Sequence, residues 1–495
     1  MTLVSTIPYM SLVELSQLVS KKEISCLEII TAVIERIQER NGNLNALIYT
    51  DNQSAIYEAK IADKEILQGH VSSKLHGMPT AIKDLGDYKK GWPHTLGGLP
   101  FLAENLAKND SPYTKLIQTK GAVVVGSTNS PSFGFRGTCD NYLYGPTCNP
   151  FDLSRNSCGS SGGAAAAVAD GMIPFAQGTD GGGSIRIPAS ACNLFGYKAS
   201  FGRVPFIVSP NSFSTTSPFL FVGPLTRSVA DSALVMNEIC TYDARDPFST
   251  SDRLDFRRAI DSPKRKLKIG YSRNLDVFSV DTQVEHVVRS SLTCLAQEGY
   301  DIDEIKIGIK LSQNELSDLW CRMIVRADTF NIQNSIDDTA KLIKKNNSLL
   351  PPEFTYWSSI SKSMSSADFW NDQVMQANIF QVMQSVFDRY DILITPTLAC
   401  LPVKNSKNGN TLGPETVNGD DINSIIGWCL TFPFNFTGNP AASIPAGMCE
   451  GVPVGMQVIG GFNKDLDVFS VCSDLERLSP WSQYYEICRN RPLNS

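Results

Sequence analysis

Residues 158–188 read CGSSGGAAAAVADGMIPFAQGTDGGGSIRIP, and the stretch holds two serines, Ser160 and Ser184, 24 residues apart, each in a glycine-rich run. Glycine brings bare backbone N–H groups close to a ligand and tolerates dihedrals that other residues resist. A serine hydroxyl at the end of such a run can attack a carbonyl carbon while nearby N–H groups hold the oxyanion that forms. The pair points to acyl transfer. Between the runs, residues 164–169 predict a helix that Gly171 ends. Ser160 and Ser161 would suit a plain N-cap of that helix. Gly162 and Gly163, directly after them, lower helix propensity, which fits a backbone that must approach something closely. The second run lacks the G-x-x-x-x-G-K-[ST] pattern and so does not read as a nucleotide phosphate loop.

Outward from this stretch, short apolar strands alternate with helices. Residues 80–82, 122–125, 268–271, 392–396 and 452–460 read as strands. Helices are expected near 112–120, 229–239 and 283–297, and residues 310–390 are mainly helical. This order implies an α/β fold: a central mixed, mainly parallel twisted sheet covered by helices on both faces. Strands near both ends of the chain suggest one sheet assembled from distant segments. Before it come two helices that open on Ser11…Glu14 and Ser25…Glu28, each with capping-box spacing, and a third, polar helix over 54–68.

A base for the serines comes from Lys83, which ends the apolar strand in Met78-Pro79-Thr80-Ala81-Ile82-Lys83-Asp84. An ammonium buried there would lose its proton easily, because desolvation disfavours the charged form. A neutral amine is a competent general base. Taken alone, Lys83 reads more simply as a snorkelling lysine whose head reaches water; beside the two serine runs, the base takes precedence. The chain has only four histidines, His70, His76, His94 and His286. None sits in a pattern that would serve a Ser-His-Asp site, and none has metal-ligand spacing to another.

Composition bounds the rest. The 495 residues are 42% hydrophobic and 19% charged, with a net charge of −6. This acidic balance argues against a dedicated nucleic-acid surface, and the run Lys264-Arg265-Lys266 reads as a solvated loop. No secretory signal pattern opens the sequence, and no window nears 18 uninterrupted apolar residues. The 13 cysteines include no C-x-x-C pair and read as reduced thiols, which sets the expectation of a cytoplasmic protein with no metal and no cofactor.

With these residues in place, the chain resembles the amidase signature family of serine hydrolases. The matching segments are 76–84, Asn149-Pro150 with Arg155 leading into Gly159-Ser160-Ser161-Gly162-Gly163, 178–189, Gly223–Asp231, Phe434–Ala441 and Gly451–Gln457. The resemblance covers nearly the whole chain and implies a single amidase signature domain over 1–495, with a helical segment over 1–70 packed on it. It implies Ser184 as nucleophile, Ser160 as a bridging serine on a cis peptide bond, and Lys83 as base. The N–H groups of Gly181, Gly182, Gly183 and Ser184 would form the oxyanion hole. Ser161, Asp180 and Arg186 would support the loop. The implied activity is hydrolysis of a small-molecule carboxylic amide through an acyl-enzyme, and a homodimer through the N-terminal helices is expected by analogy.

Three departures stand out. Cys158 occupies a position where the family usually has glycine, and Ser127 and Ser132 stand where many members carry lysine and an acidic residue. Ile187 replaces the glutamine common in the glutamine-hydrolysing subunit of transfer-RNA amidotransferases, which weakens that alternative. A third reading, a non-catalytic binding protein on the same fold, is opposed by the intact Lys83, Ser160 and Ser184. Candidate pocket walls are Phe133, Phe135, Tyr142, Tyr144, Trp320, Trp357 and Trp370, although the helical tryptophans also fit as core.

Overall fold

A computed structural model describes residues 6–209, 211–261, 267–334 and 338–492. The basic run at 264–266 lies outside the described residues. At the N-terminus both capping boxes form: Ser11 and Glu14 close the helix Leu12–Ser20, and Ser25 and Glu28 close Cys26–Leu44. Asn45, in the left-handed region at φ 52°, ends the second helix. The polar helix is Asn52–Leu67.

Strands β1 (Leu47–Thr50), β2 (Pro79–Lys83) and β3 (Val123–Thr128) form a small sheet in the order β1-β3-β2. β3 runs parallel to β2 and antiparallel to β1. β1 interrupts the N-terminal segment that the sequence reads as helical. The larger sheet contains β4 (Phe175–Asp180), β5 (Phe195–Lys198), β6 (Phe221–Thr226), β7 (Lys268–Tyr271), β8 (Asp301–Glu304) and β9 (Ile392–Pro396). A two-residue hairpin, β10 (Thr416–Val417) and β11 (Asp420–Asp421), stands apart, and β12 (Ala441–Cys449) and β13 (Val452–Gly460) complete the large sheet. Its order is β4-β6-β5-β12-β13-β9-β7-β8.

The sheet is mixed, as expected, but it is not mainly parallel. Ladders are antiparallel from β4 through β9, and only β9-β7-β8 run parallel. The physical reason is connectivity. β12 and β13 join through the tight turn at Glu450-Gly451, and such a turn can only make an antiparallel pair. Every residue of β13 is buried, as in a strand covered on both faces. The helices Arg186–Ala191, Thr282–Gln297 and Asp465–Leu478 pack against β12 and β13.

The expectation of a single sheet also needs correction. β2 lies beside the edge strand β4, yet side chains bridge the pair instead of a backbone ladder. The Lys83 N–H donates to Gln177 Oε1 at 2.9 Å, and the Thr80 hydroxyl donates to the Phe175 carbonyl at 3.2 Å. This seam between the two sheets carries the site. Among the described residues no helix is long and apolar enough to cross a membrane.

Candidate active site

Lys83 ends β2 fully buried. Its Nζ hydrogen-bonds Ser160 Oγ at 2.6 Å and Thr179 Oγ1 at 3.0 Å. No carboxylate pairs with it among the described residues, and burial lowers its pKa to about 7. Behind it, the Gln177 amide bridges to Asp87, and the Ser111 hydroxyl donates to Asp87 at 2.7 Å. Burial raises the Asp87 carboxyl to about 6 against these hydrogen bonds.

Ser160 sits in the turn before the helix Gly162–Ala169, and the Gly159–Ser160 peptide bond is cis. Gly159 and Gly163 are required by close approach. A Cβ on Gly159 would lie 2.4 Å from the Thr138 carbonyl oxygen, and one on Gly163 would lie 2.4 Å from the Ala46 oxygen. Cys158 holds φ at 60°, in the left-handed region, with its thiol buried. That region explains why glycine would serve equally well there.

Ser161 does not cap its helix. It ties the two glycine runs together instead. Its N–H donates to the Ser184 carbonyl at 3.1 Å, its hydroxyl donates to the Thr179 carbonyl at 3.3 Å, and the Thr179 N–H donates back at 3.3 Å. Ser184 is thereby held beside the lysine–serine pair and keeps slight solvent access, at 8%. Among the described residues no hydrogen bond joins the Ser160 and Ser184 hydroxyls.

The glycine loop after β4 is pinned from outside. The Trp320 indole N–H donates to the Gly181 carbonyl at 2.8 Å, and the Thr431 hydroxyl donates to the Gly182 carbonyl at 2.6 Å. In a trans peptide the following N–H points opposite to its carbonyl. Trp320 therefore aims the Gly182 N–H away from itself. The sequence-based oxyanion set needs one correction. The Gly183 N–H donates to Asp180 Oδ1 at 2.8 Å and is already spent. The Gly181, Gly182 and Ser184 N–H groups have no protein acceptor among the described residues.

Asp180 and Arg186 form a buried, two-pronged pair, with Arg186 Nε and Nη2 at 3.0 and 2.9 Å from the carboxylate oxygens. Burial would raise the Asp180 pKa, but the guanidinium outweighs it and holds it at about 2. Arg186 also donates to the Thr431 carbonyl (2.9 Å), Gln457 (2.8 Å) and Asn435 (2.6 Å), so every prong of the fork is used.

An aromatic wall stands next to Ser160. A Cβ on Gly134 would lie 3.1 Å from Ser160 Oγ. On either side of Gly134, Phe133 stacks on Phe354 at 4.2 Å and Phe135 stacks on Trp320 at 5.6 Å. Trp320 and Phe135 are thus the pocket-side aromatics of the candidate set, with Phe133. Trp357 is buried away in the helix Pro352–Ser363, and Trp370 is 65% exposed on the helix Ser366–Phe387. Tyr142 is 40% exposed. Tyr144 is half-buried.

Sequence reasoning missed Thr179, Thr431, Asn435, Gln457 and the role of Trp320. Asn435 and Gln457 did carry a signal, since each is a polar residue inside an otherwise apolar run. The histidines stay clear of the serines. His76 is buried against Ala62 and Ser72, and His94 bonds the Leu85 carbonyl.

A buried lysine on a serine of a glycine turn, with no carboxylate paired to it among the described residues and stapled to a second serine-bearing glycine loop, is the kind of arrangement that a serine hydrolase with a lysine base would use. The chain belongs to the Amidase family, whose family model matches residues 28–469. It is 29% identical to an acylamidase of Rhodococcus erythropolis over 485 residues, covering 96% of each chain. An indoleacetamide hydrolase of Bradyrhizobium diazoefficiens is also 29% identical, over 92% of this chain and 84% of its own length. Among solved structures, a bacterial aryl acylamidase of the amidase signature family superposes with a TM-score of 0.94 at 41% identity, covering 98% of this chain and 99% of its own. The protein is an enzyme, a hydrolase that acts on amide bonds.

Proposed function

We propose that the chain hydrolyses an N-aryl or N-alkyl carboxylic amide through an acyl-enzyme, with Ser184 as nucleophile, Ser160 as proton relay and Lys83 as base. The observation that carries this reading is the 2.6 Å contact between the buried Lys83 amine and Ser160. Neutral Lys83 takes the Ser160 proton while Ser160 takes the proton of Ser184. The Ser184 oxygen bonds to the amide carbon, and the carbonyl electrons move onto oxygen. N–H groups of Gly181, Gly182 and Ser184 receive the oxyanion; losing one such donor costs about 3–4 kcal/mol. Collapse breaks the C–N bond, and the leaving nitrogen takes the proton back through Ser160. Water, deprotonated by the same relay, then splits the acyl-serine to the acid. Side-chain motion that brings the two hydroxyls into hydrogen-bond contact belongs to substrate entry in this reading.

The aromatic wall at Phe133, Phe135 and Trp320 and the aryl acylamidase likeness both favour an aryl group near the scissile amide. The amidotransferase reading gains no such support, since Ile187 stands in place of glutamine. We treat residues 1–495 as one catalytic domain. A homodimer and a cytoplasmic location go with this reading, and light scattering and cell fractionation test them. The deciding experiment is amine release from acetanilide and from aliphatic acetamides by the purified chain alone. Turnover lost in Ser184→Ala supports the assignment, and undiminished turnover in that variant removes it.

A further inference from the structure

The aromatic wall beside Ser160 belongs to a closed circuit of contacts. Phe133 stacks on Phe354 at 4.2 Å, and Phe354 meets Phe135 edge-on at 6.0 Å. Two charged residues adjoin these rings in the chain: Arg136 directly follows Phe135, and Glu353 directly precedes Phe354. Asn410 joins the two. Its Oδ1 accepts from Arg136 Nη1, and its Nδ2 donates to Glu353 Oε1 at 2.8 Å. Ring contacts close one half of the circuit and the Asn410 amide closes the other.

The polar half is built around a buried charge. Arg136 is 5% exposed, and among the described residues it forms no ion pair and has Asn410 as its only side-chain partner. Its other bond goes to the Asp140 carbonyl at 2.7 Å. A buried guanidinium needs acceptors held in place, and Asn410 links its charge to the Glu353 carboxylate. The apolar half carries strain. Phe133 holds φ at 56°, in the left-handed region, and a non-glycine residue stays there only where its surroundings over-determine it. The loop that bears Asn410 is also docked independently of this circuit: Asp140 Oδ2 accepts from the Thr411 N–H at 2.9 Å and from its hydroxyl at 2.7 Å. Removing the Asn410 amide therefore cuts the circuit and leaves these anchors of the loop.

We propose that Asn410 is a positioning residue for the substrate's ring: by tying Arg136 to Glu353 it fixes Phe354 against Phe133 and Phe135, and that fixed wall holds an aryl amide beside Ser160. This rests on the aryl-amide reading above and deepens it by naming what sets ring binding. Gly134, between Phe133 and Phe135, lies against Ser160 Oγ, so the wall and the relay share one short segment of chain. Asn410 itself touches no reacting atom in the proposed chemistry. A wall that grips the ring equally in the ground state and the transition state lowers KM and leaves kcat alone.

The test measures kcat and KM on acetanilide and on acetamide, which has no ring, for the wild-type chain, Asn410→Ala, Glu353→Ala and Glu353→Gln. Loss of a hydrogen bond to a charged group predicts a rise of about tenfold in the acetanilide KM for Asn410→Ala and Glu353→Ala, with kcat and the acetamide KM each within about twofold. Glu353→Gln keeps the acceptor oxygen and stays close to the wild-type value. The double variant of Asn410→Ala and Glu353→Ala costs no more than either alone, because both cut one circuit. Thermal melts report folding independently, and Glu353, half-buried in the first turn of its helix, carries the test where Asn410→Ala folds poorly. Equal losses on both amides, a fall in kcat in place of the KM change, or an acetanilide KM that does not move overturns the assignment alone. Failure of the wild-type chain to hydrolyse acetanilide overturns the aryl-amide reading and this one with it.

Discussion

The indole N–H of Trp320 donates to the carbonyl of Gly181, 139 residues away in sequence, at 2.8 Å. Trp320 touches no reacting atom in the proposed chemistry, yet it sets the plane of the Gly181–Gly182 peptide and so the aim of an oxyanion donor. Trp320→Phe keeps the ring and its stack on Phe135 but removes the donor. We expect kcat to fall about tenfold, equivalent to about 1.4 kcal/mol in the transition state, with KM changed less than about twofold. Steady-state kinetics on an anilide checks the split. A rise in KM at constant kcat would assign the indole N–H to substrate binding instead.

Lys83 predicts the pH profile. Its amine is protonated below about 7 and neutral above, and only the neutral form accepts a proton. Hence kcat/KM should rise with pH through an apparent pKa near 7 and level off above it. Lys83→Arg replaces the base with a group that stays charged. It should cost about 100- to 10,000-fold and erase that limb of the profile. A flat profile between pH 6 and 8 in the wild-type chain would contradict the base assignment.

The Asp180–Arg186 pair predicts a stability effect. Removing one partner leaves a buried, uncompensated charge, and such changes cost about 3–5 kcal/mol. Arg186→Met should therefore lower the denaturation midpoint clearly and, by freeing Asp180, loosen the turn at Gly183. For the wild-type chain the sign follows from a carboxyl held below its ordinary 3.8, at about 2. Its stabilising contribution is whole above about pH 4 and is lost as pH falls towards 2. Urea titrations at pH 5 and pH 3 measure it.

Gly182 is predicted to be intolerant. A Cβ there would lie 2.6 Å from Trp320 Nε1, and one on Gly183, at φ 122°, would lie 2.0 Å from Thr431 Oγ1. Gly182→Ala should push the indole off the loop and reduce kcat at least as much as Trp320→Phe. Combined with Trp320→Phe it should cost little more, because both act through one contact. Additive losses would separate the two residues.

Cys158 makes the opposite prediction. At φ 60° a glycine is relieved of strain, although the change gives up some buried contact and backbone entropy. Cys158→Gly should keep activity within about threefold and shift stability by about 1 kcal/mol or less. An inactive but folded variant would give the thiol a role in the turn.

Much of the site was legible in the chain because it is written locally. Two serines in glycine runs and a lysine closing an apolar strand supply the nucleophile, cradle and base of the proposed chemistry in short segments. The capping boxes at Ser11 and Ser25 were equally local, and both formed. The sheet was less legible. Strand positions follow from composition, but their order depends on which backbone edges meet, and the tight turn at Glu450-Gly451 that makes β12 and β13 antiparallel also overturns the expectation of a mainly parallel sheet. Periodicity likewise gave no sign that β2 would meet β4 through Gln177 and Thr80 and leave two sheets.

The residue types needed for amide hydrolysis were thus determined by the sequence alone, since hydroxyl, amine and bare glycine N–H groups carry their chemistry wherever they stand. Tertiary structure decided how they are wired and what they face. It buried Lys83 without a carboxylate partner among the described residues and turned Trp320 onto Gly181. Lys83 meets Ser160 77 positions on, and Trp320 meets Gly181 139 positions back; contacts at that range leave no mark on spacing within the chain.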